Sequence, residues 1–315
     1  MSSEQRPQVV VVNAGRLDWD EALNWTKLEA AAAAVVRHPD SSPSPSELAA
    51  RCEGATVIIT KEVKVDVNLL PCTVKLVCEA GTGYNNVNLA DAAARGITVC
   101  NVPAYSTEAV AGLVLTIILS LSCSLTQQSD ALARGDRMAF THALSLPHFE
   151  LEGKTVLLIG GSGNIGQRVA ALVSALGMRV LNWGRRSDTP LEVLLGQADF
   201  VSIHIPLSEA THHLIGKTAL ASMKKGAYLI NTARGAIVDE MALIDSLRSG
   251  HLAGAGLDVQ ETEPPVADSP LWDTPNLILT PHIGWKRVET RQRLIDAVAG
   301  NVQAWASGAP TNVVR

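Results

Sequence analysis

The sequence has no excess of positive charge and no segment of the kind that directs a chain to export. Its 26 Lys and Arg residues against 31 Asp and Glu residues give a net charge of -5. No field is therefore present to hold a polyanion, and nucleic acid is not an expected partner. The first ten residues contain no apolar stretch before a small-residue cleavage site, and the chain does not end in a peroxisomal tripeptide. We expect a cytoplasmic protein.

Long hydrophobic runs are also missing. The most apolar segment, residues 109–125, has 17 residues, of which four are Ser or Thr. A helix that spans a bilayer needs about 20 predominantly apolar residues. We therefore expect no membrane span, and we interpret the segment as a long helix buried between domains or subunits.

Cysteine pairs of the kind that bind metals are missing as well. The five cysteines lie in the first half of the chain, without a C-x-x-C pair and without a histidine cluster. We interpret them as reduced thiols of the core, where Cys is commonly buried. The pair His212-His213 has no carboxylate or Cys at metal-ligand spacing, so no metal site is predicted.

The chain instead alternates short β-branched runs with helical stretches, which is typical of parallel sheets covered by helices on both faces. The first part of the chain predicts one compact α/β unit with four strands and three helices. The strands are 8–13, 56–60, 74–78 and 97–101, and the helices are 21–35, 46–51 and 88–95.

A second alternating series follows an apolar helix that begins near residue 106 and an irregular stretch at 135–150. Its six strands, the number that a dinucleotide-binding fold requires, are predicted at 155–159, 179–183, 200–205, 227–231, 255–259 and 277–280. No strand remains for the last helix, 288–306, so we expect it to pack back on the first unit. The predicted domains are a discontinuous one, 1–103 with 286–315, and a dinucleotide-binding one, 104–285.

A glycine-rich turn follows the first strand of the second series. Residues 155–166 read TVLLIGGSGNIG, in which Gly161, Gly163 and Gly166 form a G-x-G-x-x-G pattern. The first glycine makes a tight turn, the second lets the backbone approach a pyrophosphate, and the third lets helix and strand pack closely. The amides at the helix start, Asn164 and Ile165, then face the anion. The motif predicts a bound dinucleotide.

The end of the second strand of this series indicates which dinucleotide is favoured. NAD sites usually carry an acid there that binds the ribose hydroxyls, but this sequence has Gly184 followed by Arg185 and Arg186. Without a carboxylate, a 2′-phosphate is not repelled, and guanidinium groups can pair with it. We expect NADP(H) to be favoured, with NAD(H) possible. The alternative is a solvated Arg pair on a surface turn.

Three stretches at the ends of later strands carry candidate catalytic groups. They are N-T-A-R-G at 231–235, D-V-x-x-x-E-P at 258–264 and T-P-H-I-G-W at 280–285. Reduction of a ketone by hydride leaves an alkoxide that needs a proton, and His282 suits that task. A carboxylate such as Glu263 favours an imidazolium, and an arginine such as Arg234 can bind a substrate carboxylate.

Over nearly its whole length the sequence resembles the D-isomer-specific 2-hydroxyacid dehydrogenases, and within them the glycerate dehydrogenases, which are hydroxypyruvate and glyoxylate reductases. The resemblance implies two doubly wound parallel-sheet domains, a Rossmann dinucleotide-binding domain and a flavodoxin-like substrate domain. It also implies reduction of a small 2-keto acid to a D-2-hydroxy acid, and a homodimer formed through the helix at 109–125. Trp285, directly after His-Ile-Gly, fits this subgroup and is expected at the substrate.

The family motifs also assign roles to single residues. Arg234 would bind the substrate carboxylate, Glu263 would tune the histidine, and His282 would donate the proton. The backbone amides of Thr82 and Gly83 would hold the substrate carboxylate from the first domain. The further positions implied at the cofactor are His204 and Pro206 on the adenine side, Asp258 on the nicotinamide side, and Thr232.

The sequence departs from the family pattern at Gly184, which bears on the cofactor, and at Asn88, where the family more often has Asp at a helix cap. Two other functions stay open at this point. One is a D-lactate or broader D-2-hydroxyacid dehydrogenase, or an enzyme of formate or phosphite; the other is a non-catalytic dinucleotide sensor that binds proteins as a corepressor. The intact Arg234, Glu263 and His282 favour an enzyme.

Overall fold

Two parallel sheets with flanking helices make up the protein. The computed structural model describes residues 6–40, 42–140 and 146–314. Backbone contacts divide the chain into unit 1, Met1–Ser106 with Lys286–Arg315, and unit 2, Thr107–Trp285. The sequence placed its domain boundaries after residues 103 and 285. Part of the irregular stretch expected at 135–150 lies outside the described residues.

Unit 1 is built on a five-stranded parallel sheet in the order β2-β1-β3-β4-β5, the order of flavodoxin-like domains. Its strands are β1 (Gln8–Val11), β2 (Ala34–Arg37), β3 (Val57–Thr60), β4 (Leu76–Glu79) and β5 (Thr98–Cys100). Its helices are α1 (Thr26–Ala31), α2 (Pro45–Arg51), α3 (Leu89–Ala94) and the last helix of the chain, Val288–Ala306, with 3-10 turns at Ala14–Arg16 and Val67–Leu69. The central strands are rich in Val and Ile and almost entirely buried, as in sheets covered on both faces.

The predicted helix 21–35 is wrong at both ends, since only Thr26–Ala31 of it form a helix. Helix α1 ends at Ala31, and Ala34–Arg37 form strand β2, which pairs in parallel with β1. The alanine run favours a helix, but Val35 and Val36 are β-branched and suit a strand once β1 offers an edge to pair with. The sequence thus predicted four strands where the described part of unit 1 has five.

Asn88 caps helix α3. Its Oδ1 accepts hydrogen bonds from the backbone N–H groups of Ala90 and Asp91, at 3.0 and 3.2 Å. Asn and Asp are about equally good at this position. Although Asn88 departs from the family pattern, the N-terminal cap of α3 is therefore preserved.

The last helix joins the two ends of unit 1 through Arg291, whose side chain is 1% exposed. Its guanidinium donates to both carboxylate oxygens of Asp20, at 2.8 and 2.6 Å, and to the carbonyl oxygen of Leu17, at 2.9 Å. The ring of Trp19 covers the guanidinium with its centroid 4.0 Å away. A buried cation is tolerated only when it is paired in this way, so Arg291 fixes the loop that follows β1.

Unit 2 is built on a six-stranded parallel sheet in the order β11-β10-β9-β8-β6-β7. Its strands are β6 (Thr155–Ile159), β7 (Arg179–Trp183), β8 (Phe200–Ile203), β9 (Tyr228–Asn231), β10 (Gly254–Leu257) and β11 (Leu277–Leu279). Its helices are α4 (Thr107–Ser122), α5 (Leu125–Ala133), α6 (Asn164–Ser174), α7 (Leu191–Leu195), α8 (Lys217–Ser222) and α9 (Glu240–Arg248), with 3-10 turns at Met138–Phe140, Gly235–Ile237 and Pro270–Asp273; the last helix of unit 1 is α10. The predicted α/β class with two parallel sheets is confirmed.

Helix α4 is a core helix of unit 2. A Cβ on Gly256 would lie 2.3 Å from Cγ2 of Ile117, and one on Gly254 would lie 3.2 Å from Cδ2 of Leu121. The glycines of β10 therefore let α4 approach the sheet closely. Within the described ranges no single helix has the length and hydropathy of a membrane span; α4 and α5 meet that test only as a pair, which is bent by 63°.

The cysteines divide into two groups. Cys52, Cys78 and Cys100 are buried, in agreement with the prediction of core thiols. The prediction is wrong for Cys72, which is exposed, and for Cys123, which is half-buried. All five are free thiols in the structure.

Candidate active site

The motifs of unit 2 meet at one edge of its sheet, the edge formed by the carboxyl ends of the strands. The glycine turn follows β6, Gly184 follows β7 and His204 follows β8. The Arg234 loop follows β9, the Asp258 loop follows β10 and His282 follows β11. Parallel strands place these loops side by side, and the strand order reverses between β6 and β8, which is where open α/β sheets bind ligands.

Three glycines close the turn after β6. Gly160 has a φ of +89°, and a Cβ on it would lie 2.6 Å from the carbonyl oxygen of His204. A Cβ on Gly161 would lie 1.8 Å from Oδ1 of Asn182, and one on Gly166 would lie 2.6 Å from the carbonyl oxygen of Gly160. A side chain at Gly166 would push the turn apart, one at Gly160 would collide with the backbone of His204, and one at Gly161 would displace the side chain of Asn182.

Helix α6 presents its first backbone amides at the same edge. Gly163 is its N-cap residue, and a Cβ there would meet only the carbonyl oxygen of Gly160, at 3.4 Å. Asn164, the first helical residue, is exposed, whereas Ile165 packs on the core of unit 2 and offers only its backbone. Because helix N-termini bind anions, the turn fits the pyrophosphate of a dinucleotide.

Two buried polar atoms at this edge have no hydrogen-bond partner among the residues that the structure describes. They are Nε2 of His204, after β8, and Oγ1 of Thr232, after the neighbouring strand β9. Burial lowers the pKa of His204 to about 4, so its ring is neutral at pH 7. Buried polar groups are normally satisfied, so these two atoms indicate a ligand that completes them. Pro206, predicted beside them, is exposed.

The turn after β7 holds two guanidinium groups in solvent. The backbone N–H of Gly184 donates to Oγ of Ser187, and the N–H of Ser187 donates to the carbonyl oxygen of Gly184, both at 2.9 Å. Arg185 and Arg186 are exposed and form no hydrogen bond or ion pair within the described parts of the chain. A Cβ on Gly184 would have nothing within 4 Å. At the position where NAD sites usually carry an acidic side chain, this turn therefore has open space at Gly184 followed by two exposed arginines.

His282 and Glu263 form a hydrogen-bonded pair. Nδ1 of His282 lies 2.8 Å from Oε2 of Glu263, and Oε1 of Glu263 accepts from the backbone N–H of Gln260 at 3.2 Å. The carboxylate therefore has a fixed direction and orients the imidazole ring. His282 also has a φ of 50°, a conformation that is rare for residues other than glycine and that concentrates at functional sites.

Asp258 holds the loop that carries His282. It is 1% exposed, and its oxygens accept hydrogen bonds from Oγ1 of Thr280 and from the backbone N–H groups of Ile283 and Gly284, at 2.6, 2.8 and 2.9 Å. Burial raises the pKa of Asp258, and these hydrogen bonds offset part of the increase. The sequence placed Asp258 beside the nicotinamide; the structure shows it as a positioning residue of the His282 loop, and its contact with a cofactor stays a prediction.

Arg234 lies in a loop that packs tightly on the loop after β10. Gly235 comes so close to Gln260 that a Cβ on it would lie 1.9 Å from the carbonyl carbon of Gln260. The side chain of Asn231 shapes the loop, donating to the carbonyl oxygen of Arg234 at 2.8 Å and accepting from the N–H of Ala233 at 3.0 Å. The half-buried guanidinium uses Nη1 to reach the carbonyl oxygen of Ala233, at 2.7 Å. Its other N–H groups make no hydrogen bond within the described residues and could bind a planar carboxylate.

In unit 1, the loop after β4 contains the amides that the sequence assigned to a carboxylate. The N–H of Val102 donates to the carbonyl oxygen of Gly81, and Nδ2 of Asn101 donates to that of Thr82, at 2.8 and 2.7 Å. These bonds fix the loop. The backbone N–H groups of Thr82 and Gly83 donate to no residue that the structure describes, so they are available to a ligand.

Beside that loop lies a group of three ionisable residues and one tyrosine, Lys61, Glu62, Glu79 and Tyr105, which we call the Lys61 cluster. Lys61 is 3% exposed and Glu79 is 1% exposed. Nζ of Lys61 lies 3.0 Å from Oε1 of Glu62 and 3.3 Å from the hydroxyl of Tyr105, and Thr60 donates its hydroxyl to Oε2 of Glu79 at 2.7 Å. Burial raises the pKa of Glu79 to about 7, although Lys61 and Thr60 act in the opposite direction. No motif in the sequence indicates this cluster.

The raised pKa of Glu79 predicts a pH dependence of stability. Because the carboxyl titrates near 7 in the folded chain and near its ordinary value of 4.5 in the unfolded chain, the folded state binds more protons between these values. The free energy of unfolding should therefore fall as the pH rises through this range, by up to about 3 kcal/mol. Glu79→Gln should flatten that decline, measured by denaturant unfolding from pH 4.5 to 8, whereas Glu53→Gln, at an exposed glutamate, should not. Parallel curves for Glu79→Gln and the parent would contradict the assignment.

A known family model matches most of unit 2. Residues 115–284, more than half of the 315-residue chain, match the NAD binding domain of the D-isomer specific 2-hydroxyacid dehydrogenases. The chain belongs to this family. The family that the sequence motifs indicated is thereby confirmed.

Relatives of this 2-hydroxyacid dehydrogenase cover most of its length. A glycerate dehydrogenase of Methylorubrum extorquens is 36% identical over 286 residues, 88% of this chain and 90% of the relative. A glyoxylate reductase of Korarchaeum cryptofilum is 34% identical over 276 residues, 84% of this chain and 83% of the relative. The solved structure of an NADPH-dependent glyoxylate/hydroxypyruvate reductase from Sinorhizobium meliloti, in complex with NADP and malonate, has a TM-score of 0.82 and 29% identity and covers 98% of this chain and 97% of that chain.

The predicted site residues of the dehydrogenase fall into three groups. One group lies at the carboxyl edge of unit 2: Gly161, Gly163, Asn164, Ile165, Gly166, Gly184, Arg185, Arg186, His204, Pro206, Thr232, Arg234, Asp258, Glu263 and His282. Thr82 and Gly83 belong to unit 1. Trp285 is the last residue of unit 2 and is 3% exposed. Its ring is therefore held in place by packing and does not lie on the surface of the unit.

Sequence reasoning missed several residues that shape the site. Gly160 has the left-handed backbone conformation at the tight turn, where the motif predicts Gly161. The sequence signal for it is the pair of consecutive glycines, Gly160 and Gly161. Gly235 was quoted in its motif, but its tight approach to Gln260 depends on two loops that only the fold brings together. Lys61 carries no sequence signal, because a Lys-Glu pair after a strand usually lies in solvent.

Proposed function

We propose that this dehydrogenase is an NADPH-preferring reductase of small 2-keto acids, such as glyoxylate and hydroxypyruvate, and that it forms D-2-hydroxy acids. The observation that carries the proposal is the pair of His282 and Glu263, 2.8 Å apart, at the same sheet edge as the glycine turn. The names of the relatives from Methylorubrum, Korarchaeum and Sinorhizobium support the substrate class.

The proposed division of labour follows from the chemistry of a ketone. The dinucleotide, when bound, supplies the hydride that reduces the keto carbon. His282 donates a proton from Nε2 to the oxygen that becomes the hydroxyl, and Glu263 at Nδ1 orients the ring and compensates the charge of the imidazolium. The neutral imidazole then regains a proton from solvent.

The substrate carboxylate is proposed to bind Arg234, whose guanidinium keeps donors that no described residue uses. A planar guanidinium can bind a carboxylate through two parallel hydrogen bonds. Thr82 and Gly83 of unit 1 are proposed as substrate-binding residues through their backbone amides, which donate to no described residue. These contacts would fix the direction of the substrate.

The proposed preference for NADPH rests on the turn after β7. Arg185 and Arg186 are exposed there without an ion pair in the described chain, and no side chain fills the space at Gly184. The residues at the site fit a dinucleotide: the glycine turn suits a pyrophosphate, and His204 and Thr232 offer buried polar atoms. The similar Sinorhizobium structure holds NADP.

The proposed homodimer has support in the exposed apolar residues of α4, α5 and the turn after them. Between residues 119 and 140 five large apolar side chains are exposed: Leu119, Leu125, Leu132, Met138 and Phe140, the last at 77%. Large exposed apolar patches commonly mark sites of protein association. The homodimer and the cytoplasmic location stay predictions.

A steady-state comparison tests the proposed function. Glyoxylate, hydroxypyruvate and pyruvate are each offered with NADPH and with NADH, and the oxidation of the nicotinamide is followed by absorbance. We expect glyoxylate and hydroxypyruvate to be reduced with NADPH more efficiently than pyruvate. A protein that binds NADPH and turns over none of the three acids would be a dinucleotide sensor, and a protein that prefers pyruvate would be a D-lactate dehydrogenase.

The position of Trp285 predicts a limit on substrate size. If this buried ring bounds the substrate on the side away from the carboxylate, overpacking by a branched or aromatic group should cost about 1 to 3 kcal/mol. Phenylpyruvate should then be at least roughly tenfold poorer than hydroxypyruvate in kcat/KM. Trp285→Ala should narrow this gap, whereas Trp272→Ala, at an indole that is 53% exposed, should leave it unchanged. Equal efficiencies for the two acids in the parent would show that the site is open on that side.

A further inference from the structure

The Lys61 cluster is a buried set of charges that the proposed reaction has not used. A lysine that is 3% exposed is unusual, because removal of an ammonium group from water is strongly unfavourable unless the group is paired. Here Nζ of Lys61 is paired with Glu62 at 3.0 Å, and the other oxygen of Glu62 binds Nη2 of Arg16, also at 3.0 Å. Burial alone would lower the pKa of Lys61, but Tyr105, Glu62 and Glu79 outweigh it and raise the pKa, so the ammonium stays charged.

The cluster faces the backbone of the loop that contains Thr82 and Gly83. A Cβ on Gly81 would lie 3.3 Å from Nζ of Lys61 and 3.5 Å from Oε1 of Glu79. Glycine at this position therefore gives the two charged groups room to approach the loop. The ammonium group lies directly beside the chain segment whose next two amides have no acceptor among the described residues.

The surrounding backbone also holds the cluster in one arrangement. Oε1 of Glu79 accepts from the N–H of Glu62 at 3.1 Å, and the side chain of Asn13 exchanges hydrogen bonds with the backbone of Lys61 at 2.7 and 3.1 Å. Glu62 has a φ of 54°, which is outside the regions that most residues adopt. Strained backbone that is held this firmly is typical of sites with a function beyond stability.

We propose that Lys61 is a positioning residue for substrate binding in unit 1, whose fixed positive charge stabilises a carboxylate held by the amides of Thr82 and Gly83. Glu62 and Glu79 hold the ammonium group against the loop. This assignment rests on the proposed reduction of 2-keto acids.

The magnitude of the effect follows from Coulomb's law. Two unit charges roughly 8 Å apart at an effective dielectric constant of about 20 change an affinity by roughly ten- to thirtyfold. The interaction is made equally with bound substrate and in the transition state, so its loss should raise KM and leave kcat nearly unchanged. A defect of folding would instead lower the amount of active enzyme, and it would leave KM for the keto acid unchanged.

The test compares Lys61→Met, the pair Lys61→Met with Glu79→Gln, and the control Lys64→Met. All KM measurements are made at pH 6, where Arg16 and Lys61 lie beside the carboxylate of Glu62, and Glu79, whose pKa is about 7, is largely protonated. At pH 6 the change Glu79→Gln removes almost no charge, so the paired variant loses the positive charge of Lys61 alone, and it leaves no buried carboxylate without its lysine if the single variant does not fold. Lys64 is exposed on the same segment.

We expect both Lys61 variants to raise KM for glyoxylate by roughly ten- to thirtyfold, with kcat and KM for NADPH within about twofold of the parent. Lys64→Met should match the parent in all three constants. A parental KM in the paired variant would show that the charge of Lys61 does not act on the substrate and would overturn the assignment. A paired variant that does not fold, or one that loses kcat in place of KM, would also overturn it.

The proposed function fails in a different way. A parent protein that reduces none of glyoxylate, hydroxypyruvate and pyruvate overturns the reductase function and the assignment of Lys61 together. An active parent whose paired variant keeps the parental KM overturns the assignment of Lys61 alone. The two failures are therefore distinguishable from the same set of assays.

Discussion

His282→Ala should reduce the turnover of glyoxylate by roughly 10² to 10⁴, the range that general acid catalysis contributes. The methyl group cannot donate a proton to the developing alkoxide, and Glu263, 2.8 Å from Nδ1 in the parent, cannot replace the ring that it orients. NADPH should bind with parental affinity, because the glycine turn after β6 and the arginines after β7 are untouched. The measurement is kcat with glyoxylate, together with a fluorescence titration of NADPH.

His148→Ala is the matched control, since His148 is an exposed histidine of the same unit. It should keep the parental kcat. Circular dichroism establishes that both variants are folded. A folded His282→Ala protein that reduces glyoxylate within a fewfold of the parental rate would remove the histidine from the mechanism.

The second large effect concerns the choice of dinucleotide. One or two charge-assisted hydrogen bonds from Arg185 and Arg186 to a 2′-phosphate, at about 1.5 to 3 kcal/mol each, should favour NADPH over NADH by roughly ten- to a thousandfold in kcat/KM. Gly184→Asp combined with Arg185→Ala should reverse much of this preference. The aspartate has room, because a Cβ on Gly184 meets nothing within 4 Å. Its carboxylate would accept hydrogen bonds from the ribose hydroxyls of NADH and would repel the 2′-phosphate of NADPH.

Arg248→Ala serves as the control for that variant, because Arg248 is an exposed arginine in the last turn of α9. It should leave the ratio of the two cofactors unchanged. Equal kcat/KM values for NADPH and NADH in the parent would mean that the arginines of the turn after β7 are merely solvated.

The fold was predictable where one signal dominated. Strand β6, all of it buried, and helix α10, with its long amphipathic pattern, begin and end where the sequence predicts. Strand β2 was missed because its four residues follow an alanine run, and only pairing with β1 makes them a strand. The break between α4 and α5 was missed because Ser124 adopts a φ of 50° without a glycine to signal it.

The site was predictable to the extent that its residues belong to motifs. Gly161, Glu263 and His282 could be named because each stands at a fixed place in a strand-loop pattern. The role of Asp258 as the anchor of the His282 loop could not be read from the sequence, because its three donors come from residues 280 to 284 on the next strand and loop. Lys61 and Glu79 are 18 residues apart, and only the pairing of β3 with β4 brings their charges together.

The contact between Arg291 and Asp20 has a consequence for synthesis of the chain. The two residues are separated by 271 positions, so Asp20 lacks its arginine partner until the last helix has left the ribosome. Unit 2 is one uninterrupted segment, Thr107–Trp285, and domains fold as units while translation proceeds. We therefore expect the dinucleotide-binding unit to fold first, although the ribosome synthesises the first part of unit 1 before it. The five-stranded sheet of unit 1 should stay partly uncovered until α10 has been synthesised.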